Sequence, residues 1–384
     1  MSRPILLLAV AAFVSGANLR VADPLIPKLA ETFTTSVGAA AGVVTAFTLA
    51  YGLFQLVHGP LGDSVGKLRM VVLGLNVAGL ACVACAFARS LPVLSALRFV
   101  AGAGAAAIIP LSLAYIGDHV PYERRQATLG RFIGATLLGQ VFGPLLGGAL
   151  SQLVDWHEVF LVLGAIFFVV GLLLLPEARR AGAPRARHTF KPLRRYRDLA
   201  RDPWVRVVLA TVALEGFAFY GALAYLGAYL KDRFQLGYLL IGLIIAGFSV
   251  GGVIYSLLVK WLLARLGERG LAAGGGVTMM LCFAGIAFAP TWGASVPFFV
   301  LIGLGFYMLH NTLQTRATEM APQMRGSAVS FFAFCLFLGQ ATGVAIAGVA
   351  VERVGYVAML LAAGVGIFAL SLWFRARLAG HRAG

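Results

Sequence analysis

The sequence is poor in charge and poorer in acid: only 12% of its 384 residues are Asp, Glu, Lys or Arg, and fifteen acids face thirty-one Lys and Arg. A soluble domain carries about 25% charged residues, so this chain has too little polar surface to face water on all sides. Cysteine is scarce too. Cys82, Cys85, Cys282 and Cys335 all fall in apolar runs, and the C-x-x-C at Cys82 has neither a thioredoxin-like context nor a second ligand pair. They read as small packing residues, with no disulfide and no metal expected. No Walker A run, H-E-x-x-H or G-x-S-x-G is present, so no enzyme and no cofactor are expected.

What is present is hydrocarbon: 60% hydrophobic residues and a mean hydropathy of +0.88. Twelve apolar stretches of bilayer-spanning length begin near Ile5, Val37, Met70, Pro92, Gln126, His157, Trp204, Leu236, Leu271, Ser295, Ser327 and Tyr356. In lipid they must be helices, because an isolated strand leaves its backbone unsatisfied. The first reads as a span and not a cleaved signal, since it runs on into Arg20, Asp23, Pro24 and Pro27 and its removal would leave an odd helix number.

Basic residues stay on the cytoplasmic side during insertion. With the N-terminus inside, twenty-one Lys and Arg fall in cytoplasmic segments and five in outer ones, so both termini are expected in the cytoplasm, with a bacterial inner membrane as the setting. The same distribution accounts for the net charge of +16 without nucleic acid, because the cations are spread over every inner loop.

One stretch interrupts the apolar rhythm and divides the chain into 1–176, a linker at 177–203, and 204–384. In the linker, Phe190, Leu193, Tyr196 and Ala200 recur at helical spacing among nine basic residues, as in an interfacial amphipathic helix or a basic tether. The halves echo each other: Leu138-Gly139-Gln140 returns as Leu338-Gly339-Gln340, and Pro121 to Ala127 matches Pro322 to Ala328. This predicts a duplicated six-helix unit.

Three motifs resemble the major facilitator superfamily, and within it the drug:proton antiporters. Gly59-Pro60-Leu61-Gly62-Asp63-Ser64-Val65-Gly66-Lys67-Leu68-Arg69 is similar to the loop after the second helix, with Ser64 where the family has Arg. Arg98 to Ala106 resembles the fourth-helix motif. Gly139-Gln140-Val141-Phe142-Gly143-Pro144-Leu145-Leu146-Gly147-Gly148 is close to the fifth-helix signature of antiporters. Small residues at these steps allow close helix approach, and Pro144 bends the helix.

The resemblance implies an all-α integral membrane protein with twelve transmembrane helices in two pseudo-symmetric six-helix bundles, the major facilitator fold, working as a monomer by alternating access. It implies a conformational latch from Gly59, Asp63, Gly66, Lys67 and Arg69, with Asp63 against the start of the eleventh helix near Gly326 and Asp118 as acidic partner of the basic residues. The later copy, Ala264 to Arg269, lacks that acid, which predicts a one-sided latch. The resemblance also places helices one, four, seven and ten around a central cavity. There the chain would supply Asn18, Arg20, Arg98, Phe217, Tyr220, Tyr225, His310 and Asn311, a lining suited to amphipathic organic solutes.

Of the fifteen acids, only Asp23 and Glu215 lie within spans, where an ionised carboxylate is expensive. Glu215, near mid-span, is either a proton carrier or a member of a static interhelical hydrogen bond. Asp23 follows Arg20 by three residues, so the two share a helix face and can form a structural pair or a coupling site. His310 reads as a lining residue before a relay. The expected function is proton-coupled efflux of a small amphipathic molecule, its partners being that solute, protons and the bilayer. The alternatives are an organic-anion exchanger, symporter or facilitator anchored on Arg20 and Arg98, and a non-transporting sensor or enzyme.

Overall fold

The computed structural model describes residues 3–180, 192–321 and 324–381; the basic run 181–191, Phe190 included, and Pro322 lie outside them. The described residues are helical almost throughout, with no strand among them. Ten helices are long and apolar enough to cross a membrane: Arg3–Thr32, Val37–Gly62, Lys67–Cys85, Leu91–His119, Arg124–Leu153, Trp156–Arg180, Pro203–Phe234, Tyr238–Phe288, Trp292–Glu319 and Gly326–Gly380. They are called the first to tenth spans below.

The expected helices near Leu271 and Tyr356 do not stand alone. They continue the eighth and tenth spans, of 51 and 55 residues. A hydrocarbon core about 30 Å thick needs only about 20 helical residues. Each long span is broken once, at Gly267 (φ 61°, ψ 176°) and Gly355 (φ 83°, ψ 169°), in backbone conformations that favour glycine. The expected tenth helix is therefore the ninth span, and the expected eleventh begins the tenth.

Local chemistry sets the helix starts. Asp202 caps the seventh span, accepting from the Trp204 and Val205 amides at 2.7 and 3.1 Å, with Pro203 in the first turn. Ser36 accepts from the Ala39 amide at 3.1 Å, and Thr291 from that of Ala294 at 3.3 Å. The seventh span is not uniform: Gly216–Tyr220 is a π-helical turn directly after Glu215, a distortion frequent at functional sites.

Glycines at four-residue steps let spans meet backbone to backbone. Gly139, Gly143 and Gly147 lie against the carbonyls of Phe13, Ala17 and Val21, seating the fifth span on the first in parallel. Gly339 and Gly343 meet the carbonyls of Ala213 and Phe217 in the same way, every residue number raised by two hundred. Gly148 faces another way, onto the Tyr238 carbonyl, while the Pro144 carbonyl meets Gly242. A methyl at Gly139 would overlap the Phe13 carbonyl, so Gly139→Ala should destabilise the protein by about 1–3 kcal/mol in thermal unfolding. Gly130→Ala on the same helix meets open space and should be neutral or slightly stabilising.

The two halves of the chain are pinned together at the end remote from the linker. There the Tyr238 hydroxyl donates to Glu31 Oε2 at 2.8 Å and the Leu239 amide to Gln152 Oε1 at 2.9 Å, and Gly38 packs on Gly348. At the linker end, Gly59, Gly117, Gly134 and Gly326 have no neighbour in reach of an added methyl. The short linker helix Pro192–Leu199 bridges the halves there: the Tyr196 hydroxyl donates to the Leu56 carbonyl at 3.3 Å, and its ring lies 5.4 Å from that of Phe331. Tyr196 thus faces the protein; the Leu193 side chain lies outside what the structure describes.

Candidate functional site

Glu215 ends the regular part of the seventh span and is wholly buried. Its Oε2 lies 2.8 Å from Nδ1 of His310 on the ninth span, while its buried Oε1 has no hydrogen-bond partner among the described residues. The imidazole is sandwiched, stacked on Phe306 at 4.9 Å and tilted on Phe332 at 5.7 Å, with 12% of its side chain exposed. This is a carboxylate sealed in apolar surroundings with one titratable partner and one vacant acceptor. Such a group is costly as an isolated charge. A proton shared with or delivered through His310 relieves that cost.

Arg20 and Asp23, both buried, form a second cluster, with Nη1 to Oδ2 at 3.4 Å. The guanidinium of Arg20 sits 4.1 Å from the ring centroid of Tyr220 and 5.6 Å from that of Phe248, so a cation of the first span rests on rings of the seventh and eighth. Tyr220 in turn lies 5.2 Å from Phe306, the ring that stacks on His310. Asp23, Arg20, Tyr220, Phe306, His310 and Glu215 thus form one continuous chain of contacts across the halves.

Arg98 and Asn18 stand apart. Arg98 donates to Asn18 Oδ1 at 2.7 Å and to the Asn18 carbonyl at 3.3 Å, and its guanidinium lies 4.2 Å from the Phe47 ring centroid. It is 1% exposed, and among the described residues no carboxylate pairs with it. Its described contacts lie within the first half of the chain.

Phe217 and Tyr225 stand outside the Glu215 and Arg20 clusters. Phe217 lines a lateral groove with Gly343 and does not join the charged residues, because two helical steps turn it about 200° from Glu215. Tyr225 is fully buried and donates to the Val344 carbonyl at 2.8 Å, tying two helices together. Asn311 follows His310 directly but, about 100° round the helix from it, donates to the Tyr255 hydroxyl at 2.9 Å. The helix-five signature residues are packing surfaces, as given above.

Of the latch residues, Lys67 Nζ donates to Asp118 Oδ2 at 2.5 Å. Arg69 turns away, its Nε donating to the Ala178 carbonyl at 3.3 Å. Gly66 breaks the helix with φ 111°, and the Asp63 side chain lies outside what the structure describes. The later loop keeps a pair of opposite polarity, Glu268 with Arg316, so it has lost its counterpart of Asp63 but not its link to the ninth span. Sequence reasoning missed this pair, along with Phe248, Phe306 and Phe332. Glu268 following Lys67 by 201 positions was the one available signal.

Residues 8–344 match the sequence profile of the Major Facilitator Superfamily. The uncharacterized MFS-type transporter YwfA of Bacillus subtilis is 27% identical over 381 residues, covering 96% of this chain and 91% of that one. A probable actinorhodin transporter of Streptomyces coelicolor is 34% identical over 150 residues, 37% of this chain and 26% of its own. Among solved structures, a bacterial homolog of the human lysosomal transporter Spinster, inward-facing and occupied, aligns with a TM-score of 0.81 at 17% identity, covering 97% of this chain and 96% of that one.

Proposed function

The chain belongs to the major facilitator superfamily, a transporter family and not an enzymatic one, and from that premise we propose that it is a proton-coupled exporter of a small amphipathic organic molecule. The observation that carries the reading is the Glu215–His310 pair: a fully buried carboxylate, one oxygen on an imidazole and the other unpartnered, at a π-helical turn. Proton binding there neutralises a charge that opposes rearrangement of the spans around it. Asp23 serves as the second exchangeable acid, linked through Arg20 and the Tyr220 and Phe306 rings.

The architecture behind this is twelve crossings, with Gly267 and Gly355 each dividing a long helix into two, arranged as bundles 1–176 and 204–384 joined by 177–203. The repeated glycine contacts two hundred residues apart support the duplication. The excess of Lys and Arg at the linker end supports placing both termini in the cytoplasm of a bacterial inner membrane, which makes this an inward-facing state. Lys67 with Asp118 and Glu268 with Arg316 hold the two loops in place, and Asp63 latches the first of them to the eleventh helix when the linker end closes. The glycine run from Gly139 to Gly148 supports antiport, and the partial relative named as an actinorhodin transporter supports an organic cargo.

The test is flux in sealed proteoliposomes loaded with a pH-sensitive dye and challenged with a panel of amphipathic compounds. A transported compound should move protons the opposite way, and an imposed pH gradient should drive its accumulation. Flux indifferent to the gradient overturns proton coupling and favours the organic-anion reading anchored on Arg20 and Arg98, and no flux of any solute overturns transport itself.

A further inference from the structure

A groove of about 750 Å³ runs between the seventh and tenth spans, on a face of the seventh span that Glu215 does not share, walled by Ala210, Ala218 and Gly221 on one side and Ala362, Gly366 and Trp373 on the other. Its volume lies within the range of small-molecule sites, about 300–1,000 Å³. It opens sideways: Leu214 and Val354 on its rim are 51% and 62% exposed. In a membrane protein that opening meets acyl chains, not water. From Ala358 to Trp373 the wall rises about 22 Å, long enough to hold an extended acyl chain along its length.

Both walls continue past the linker end of the groove into a cation. Arg206 lies one turn before Ala210 and Arg377 one turn after Trp373, so each shares the helix face of the groove lining. Both arginines are exposed, Arg377 lies 5.5 Å from the Trp373 ring centroid, and among the described residues no carboxylate pairs with either. Tryptophan and arginine at a helix end sit at headgroup level. Two cations at the mouth of an apolar slot complement a phosphate that carries a hydrocarbon tail.

We propose that this groove binds an anionic phospholipid of the linker-end leaflet, its acyl chain along the alanine and glycine walls and its phosphate between Arg206 and Arg377. A zwitterionic lipid offers the same tail but offsets its phosphate with an ammonium, so charge is the discriminating feature. The bound lipid fills the gap between the seventh and tenth spans and stiffens the second half from outside.

Native mass spectrometry of the delipidated protein with equal amounts of palmitoyl-oleoyl phosphatidylglycerol and phosphatidylethanolamine tests this. The wild type should retain the anionic lipid roughly tenfold more than the zwitterionic one. Arg206→Gln with Arg377→Gln, both at exposed sites, should abolish that preference. Gly366→Phe, which fills open space in the groove, should lose the lipid while the protein still unfolds at the wild-type temperature. Equal retention in the wild type, a preference that survives the double variant, phosphatidylglycerol that survives Gly366→Phe, or a lipid-free dimer formed through this face would each overturn the proposal.

Discussion

In the Glu215→Gln variant, substrate accumulation driven by a pH gradient should vanish while the protein remains folded. A proton gradient equivalent to 100 mV releases about 2.3 kcal/mol per proton, which sustains roughly fiftyfold accumulation at one proton per solute. Gln keeps the size of Glu and can still meet the His310 ring nitrogen now 2.8 Å from Oε2, but it carries no exchangeable charge. The fiftyfold ratio should therefore fall to one, with downhill exchange preserved. His310→Gln separates the two members of the pair. If His310 only orients the carboxylate, an amide can replace it and coupling persists; if it relays the proton, coupling is lost as in Glu215→Gln. Coupled accumulation by the Glu215→Gln protein, measured in proteoliposomes at matched protein density, would sink the assignment.

The spans were legible because burial in lipid leaves one solution for the backbone, so every apolar run of sufficient length reads directly as a helix. Their interruptions were less so. Gly267 and Gly355 sit beside charged residues, Arg265, Glu268 and Arg269 in one case and Glu352 and Arg353 in the other, and the helical pattern resumes so soon after each that the break is confined to the one glycine. The helix-five glycines were legible as packing residues, since four-residue spacing can only form a stripe, and the structure shows which carbonyls they meet.

For the site, an acid in mid-span announces itself, but its partner does not. Glu215 and His310 lie 95 positions apart, and nothing local relates them. Arg20 and Asp23, three apart on one helix, were readable as a pair. The rings that receive Arg20 come from distant spans and were not. The placements of Phe217 and Tyr225 were not legible, because a helix shows its neighbours every face in turn and the π-helical turn at Gly216–Tyr220 shifts that register again.

Arg20 and Asp23 support the second large prediction. Asp23 is 1% exposed and its described ion-pair partner is Arg20, so Arg20→Met removes the compensating charge from a buried carboxylate. Breaking a buried pair by deleting one member costs about 3–5 kcal/mol, most of it the penalty of the charge left behind. Arg20→Met should therefore lower stability by that amount in thermal unfolding. Adding Asp23→Asn should recover most of it, since methionine can fill the space beneath the Tyr220 and Phe248 rings and the amide is neutral. The recovered double variant then isolates what the charges do beyond holding the fold. Among the described residues the guanidinium is the one cation resting on rings of the other half of the chain, 4.1 Å from Tyr220. A stable Arg20→Met/Asp23→Asn protein that exchanges solute but has lost accumulation would assign the pair to coupling, and one with wild-type accumulation would reduce it to structure. Failure of Asp23→Asn to rescue Arg20→Met would mean that the stacking of Arg20 on the two rings, and not its pairing with Asp23, stabilises this region.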